Sequence, residues 1–180
     1  MDLFKWFRSK PTVAERAITY QTGVSCGLVT APSITGVHVT EATALGVSAV
    51  WCATNVIASS IGKLPVNVYR VTDQGRDLDP EHPLADLLDR EPNPLQTARV
   101  FWETFVSHCL LWGNGFAEVE RDGAGRPVGL WLIHPNAVAV EYDQGGRLVY
   151  RVTLPNGGQS VLQSADVLHV PGLSCEGTYG

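Results

Sequence analysis

Charge is scarce in this 180-residue chain. Charged residues make up 17% of it, and the formal net charge is −5. No cluster of Lys and Arg supplies the basic footprint that tight, general binding to nucleic-acid phosphates needs. A mildly acidic wall that DNA slides past without sticking is compatible with that balance. Close cysteine pairs are also missing. Cys26, Cys52, Cys109 and Cys175 lie far apart with no C-x-x-C, which removes the ligand spacing of a zinc site. Cys52 and Cys109 fall inside apolar helical patterns, so both are expected to be buried and reduced, an intracellular pattern. No stretch reaches the roughly 18 apolar residues of a membrane span. The apolar run within Met1–Lys10 is too short for a signal peptide, and this segment reads as a frayed terminus or a small amphipathic arm.

Motifs of chemistry are missing too. There is no G-x-S-x-G elbow, no G-x-x-x-x-G-K-[ST] loop and no G-x-G-x-x-G. A cysteine hydrolase would need Cys109, His169 and Asp166 together. His169 and Asp166 are three apart on an expected strand and so face opposite sides. His38, His82, His108, His134 and His169 are isolated in sequence. His82 and His134 each precede a proline, where a hydrogen-bonding role is expected rather than metal ligation. Glu118 and Glu120 share one face of a strand and read as a solvated face or a rim contact, not an acid–base pair. No catalytic, cofactor-binding or metal residue is assigned.

The chain does contain enough apolar residues for a core, at 44%. Residues 1–38 are expected to form a flexible arm, since positions 11–38 are rich in Thr, Ser, Gly, Pro and Val without a stable period. Thr40 is expected to cap a long helix whose stripe is Ala42, Leu45, Ala49, Ala53, Ile57, Ile61 and Leu64. Small residues are frequent in it, and Trp51 lies off the stripe. Pro65–Val71 alternates as a strand, followed by a turn around Gly75. His82–Leu88 is a short helix, and Pro92-Asn93-Pro94 a rigid break. Thr97 caps a second long helix with Phe101, Phe105, His108, Cys109 and Trp112 on its stripe. Gly113-Asn114-Gly115 tolerates positive φ and stops that helix. Strands then follow at 116–121, 128–133, 137–142, 148–153, 160–162 and 166–170. Turns at Asp122–Gly125, Asp143–Gly146 and Asn156–Gly158 separate successive members of a meander. The fold class is α+β: helices first, then a small, mostly antiparallel sheet.

Several segments, in this order, resemble the portal proteins of tailed bacteriophages, in the branch of long-tailed phages and gene-transfer particles. They are Ala49–Ala58 with Leu64-Pro65-x-x-x-Tyr69, and His82–Leu88 with Pro92-Asn93-Pro94. Phe101-Trp102-Glu103 follows, leading to Leu110–Ala117. Leu132–Val138, Asp166–Val170, Gly172 and Gly177 complete the set. Where many members of that family have Ala after the turn's Asn, this chain has Gly115, which keeps the turn chemistry. The resemblance implies a structural subunit without catalytic residues or cofactor. It implies a homo-oligomeric ring, of twelve copies in the full-length protein, at one capsid vertex of the virion, assembled in the host cytoplasm. The partners it implies are capsid protein, terminase and a head–tail adaptor, with double-stranded DNA passing through the channel during packaging and ejection, and no membrane. Residues 39–180 would be the wing-like region. Family members run to about twice this length, and their channel (stem and clip) portion has no matching positions here. The alternatives are a non-portal interaction module or a small cysteine hydrolase.

Overall fold

The computed structural model describes residues 41–172. The arm at 1–38, the Thr40 cap, His38, Cys26, Cys175 and Gly177 lie outside the described residues. The first expected helix is two pieces, α1 (Glu41–Leu45) and α2 (Ser48–Gly62). The break falls at Gly46 and Val47, whose N–H groups donate to Thr43 and Ala44, three residues back. Such tight bonds end an α-helical turn. The strand expected at 65–71 is shorter and later, β1 (Tyr69–Thr72), and it pairs with β2 (Gly75–Leu78) in an antiparallel ribbon. Asp73 and Gln74 form the turn between them, and Gly75, at φ 144°, opens β2.

The short helix α3 (Pro83–Asp89) starts at His82, whose Nδ1 accepts the Leu84 N–H at 3.2 Å. The break after it is pinned to the sheet. Buried Asn93 donates to the Leu130 carbonyl at 2.9 Å, and the Pro92 carbonyl accepts the Leu130 N–H at 2.7 Å. Helix α4 (Ala98–Trp112) then begins after Thr97, which sits at the cap position but makes no side-chain capping bond.

Two three-stranded antiparallel sheets follow. The central sheet has the order β4-β3-β8, from β3 (Asn114–Arg121), β4 (Pro127–Ile133) and β8 (Val167–Pro171). The second is a meander, β5 (Val138–Tyr142), β6 (Leu148–Thr153) and β7 (Gln159–Gln163). A single 3₁₀ turn precedes β5, and another, Ser164–Asp166, precedes β8, so Asp166 is not on the strand. The expected single sheet is thus two, and the fold class is α+β.

Alternation along β3 organises the interior. Ala117 joins Leu130, Phe101 and Phe105 in one core cluster under α4, with Val119, Leu132 and Leu168 packed against it. Phe116 points the other way, into a second cluster with Ile133, Val167, Val138, Tyr150, Val152 and Leu162. The central sheet is therefore a middle layer between α4 and the β5–β7 meander, with an apolar cluster on each face.

Two of the hairpin turns use one device. Asp122 accepts the N–H groups of Ala124 and Arg126 and pairs with the Arg126 guanidinium. Asp143 does the same with Gly145 and Arg147. These bonds, the arginine backbone N–H first, hold both carboxyls below the usual carboxylate range.

Candidate functional site

The residues that joined helix to sheet in the sequence form a built corner. Gly113 ends α4 in the left-handed conformation, φ 71°, the helix-ending geometry for which glycine carries no steric penalty. Asn114 is already the first residue of β3, and neither it nor Gly115 has positive φ. Gly115 is needed for a different reason than the turn. A Cβ there would lie 2.6 Å from Cys109 Sγ and 2.8 Å from the Phe105 ring. The expectation that Gly115 serves turn chemistry is corrected: it lets α4 lie close on the central sheet.

The side chain of Asn114 faces the other way, toward the meander. Its Oδ1 is 3.0 Å from His169 Nε2, and His169 Nδ1 is 3.2 Å from the Tyr150 hydroxyl. An amide oxygen only accepts, so Nε2–H donates to Asn114, and Nδ1 accepts from Tyr150. Phe116 stacks on the His169 ring at 4.5 Å. Burial pushes the His169 imidazole below its ordinary pKa and the Tyr150 phenol above its own. The row is a neutral polar seam between the two sheets, tied to the end of α4.

This geometry separates the three residues a cysteine hydrolase would need. Cys109 lies on the α4 side of the central sheet, its Sγ 3.8 Å from the Val170 carbonyl, and burial raises its thiol pKa. A raised pKa leaves little thiolate for attack. His169 is on the opposite face, and Asp166 pairs with Arg121 at 3.3 Å. Glu118 is likewise not the solvated residue expected. It is only 1% exposed, on the meander side of β3 beside Trp131 and Val167 in register. Glu120 matches the rim reading better, accepting the Trp131 indole N–H at 2.7 Å. His134 accepts the Asn136 N–H, the same structural use as His82. Among the described residues, no group of three or more His, Cys, Asp or Glu is placed to hold a metal.

A second aromatic cluster lies at the C-terminal end of α4. The rings of His108, Trp112 and His134 meet with centroids 4.7–5.6 Å apart. His108 Nδ1 and Trp112 Nε1 are buried without a hydrogen-bond partner among the described residues. Burial first, and then the charge of His134, lower the His108 pKa from 6.5 to about 4. The folded pKa is the lower one, so His108 contributes stability that is complete above pH 6.5. That stability is lost as pH falls toward 4. With partial exposure screening the charge, the loss is about 1 kcal/mol. Urea midpoints at pH 7 and pH 4.5 should differ less in His108→Phe than in the parent. Equal differences would remove His108 as a cause.

The helical stripe of α2 is the largest misreading. Its buried residues are Thr54, Ala58 and Gly62, at a spacing of four. A Cβ on Gly62 would meet Glu103 Cγ at 2.5 Å and the Arg99 carbonyl oxygen at 3.1 Å, so α2 touches α4 through small residues. Ile57 and Ile61, expected in the core, are 45% and 42% exposed. Cys52, expected buried, is exposed. Periodicity identified the helix, but size chose its inward face, because close helix approach admits only small side chains.

The sequence model of the phage portal protein family matches residues 48–180. The chain belongs to the phage portal protein family. It is 28% identical over 181 residues to the portal protein of Enterobacteria phage HK97, an alignment covering 99% of this chain and 41% of that protein. Among solved structures it is similar to a chain in the neck of an empty gene transfer agent (GTA) particle computed with C6 symmetry. That match has a TM-score of 0.64 and 23% identity, and covers 76% of this chain and 37% of the other. A chain in the neck of a native GTA particle computed with C12 symmetry gives 0.58 and 19%, covering 76% and 35%. The portal fold is shared, and the chain spans about two fifths of the length of these relatives. The family is structural rather than enzymatic.

Proposed function

We propose that this chain is the wing-like part of a portal subunit, in a ring at one capsid vertex through which DNA is packaged and ejected. The family match over residues 48–180 carries this reading. The alignment of nearly the whole chain with the HK97 portal protein supports it. The seam and the apolar clusters on both faces of the central sheet fit a load-holding wall, since they fix geometry. The ring of twelve, the capsid, terminase and adaptor partners, assembly in the host cytoplasm and the absence of catalytic, cofactor and metal residues belong to the same proposal. So does the assignment of residues 39–180 to the wing.

Antibody labelling of particles released by the host that carries the gene tests it. An antibody against the β5–β7 meander should mark one vertex per particle. Label spread over the shell, or no label on purified particles, would overturn the proposal.

A further inference from the structure

Helix α2 carries no charged residue along its length, SAVWCATNVIASSIG. Ile57 and Ile61 are four apart and share one side of it, in line with half-buried Val50 two turns earlier. Leu64 extends that side past the helix end, where its N–H donates to the Ile61 carbonyl. Ile57, Ile61 and Leu64 are all exposed. The row leads to a cavity of about 360 Å³, where Leu64 and Pro65 meet Leu88 and Asp89 of α3 and Ala98 and Trp102 of α4. Trp102 is fixed there, its indole N–H donating to the Leu88 carbonyl at 2.8 Å. An exposed apolar row that ends in a preformed cavity marks an interaction site. Arg99, also on the cavity wall, is paired with Glu103 at 2.9 Å. Lys63 and Asp89 are the other charges on that wall, and exposed Glu91 follows two residues on.

We infer that the cavity and the row beside it seat the chain's own first ten residues, MDLFKWFRSK. Leu3, Phe4, Trp6 and Phe7 supply apolar side chains for the row and the cavity. Lys5, Arg8 and Lys10 lie among and after them, opposite in sign to Asp89 and Glu91, and Asp2 is opposite to Lys63. The length of chain between the two also fits. Residue 40 enters α1 at the start of α2, and the cavity lies at the other end of α2, about 22 Å away at 1.5 Å per residue. Thirty residues separate Lys10 from Glu41. Even as a coil they reach about 30 Å, which matches that span. A matched tether gives an effective concentration on the order of millimolar, so a contact of only millimolar intrinsic strength is filled. The same segment from another molecule, at micromolar concentration, leaves it empty. The inference does not depend on the portal reading.

Photo-crosslinking of the full 180-residue chain, with p-benzoylphenylalanine in place of Phe4, tests it. At micromolar concentration the adduct, located by peptide mass spectrometry, should fall on Ile57–Pro65 or Leu88–Trp102 of the same molecule. Leu64→Lys should cut the yield there about fivefold or more, because it sets an unpaired cation in the apolar contact. Leu64 is exposed, so an unchanged far-ultraviolet circular dichroism spectrum is expected and shows that the variant folds. Arg8→Glu should lower the yield as well, and Asp89→Arg in that background should restore it. Adducts elsewhere on the chain, or none, overturn the inference, and so does a yield that Leu64→Lys leaves unchanged. Adducts between two copies, seen at doubled mass, also overturn it and assign the cavity to the first residues of a second molecule.

Discussion

Phe116→Ala is expected to destabilise the fold by about 4 kcal/mol, the range for emptying a fully buried aromatic site. Phe116 is fully buried, and it reaches from the middle layer into the meander, touching Tyr150 and stacking on His169. Its removal leaves the two sheets without their central filler and the seam without its stacking partner. Phe116→Leu keeps most of the volume and should cost about 1–1.5 kcal/mol. Denaturant titration of both variants reads the difference. Equal losses would show that the site responds to ring chemistry rather than to volume.

The next residue along β3 fails in the opposite direction. Gly115→Ala adds one carbon where Cys109 Sγ and the Phe105 ring leave no space. The expected cost is about 2–3 kcal/mol, at the upper part of the overpacking range. In a domain of this size that lowers the thermal midpoint by roughly 5–10 °C. A double-mutant cycle identifies the cause. In a Cys109→Ala background the sulfur is gone, so Gly115→Ala should cost about 1 kcal/mol less. Strict additivity would mean that the clash with Cys109 is not what Gly115 avoids.

Much of this architecture was legible because it is written in local rules. The aromatic stripe at Phe101 and Phe105 faces the core as its spacing predicts, and Gly113 stops α4 with the positive φ its type permits. The Asp-x-x-Gly-Arg turns divide the strands where glycine and aspartate say they should. What stayed hidden depends on partners far away in sequence. Glu118 reads as solvated until the meander covers its side of β3. The inward face of α2 could not be read from hydrophobicity, because Thr54, Ala58 and Gly62 were selected by the closeness of α4. Nor does spacing show that Asn114, His169 and Tyr150 meet, since they lie on three different strands. The candidate site was visible as a corner in the chain, and its hydrogen-bonded seam was not.

That corner also has a mechanical meaning. β8 runs antiparallel to β3, so its last residues lie beside the first residues of β3. A pull on the backbone at Gly172 would peel β8 away from this end, one pair at a time. The attachments near that end include the Gly172 N–H on the Gly113 carbonyl, at 2.7 Å, and the Asn114–His169 bond three residues in. A clasp of backbone and side chain thus sits where tearing would start, and it is anchored to the end of a fifteen-residue helix rather than to a loop.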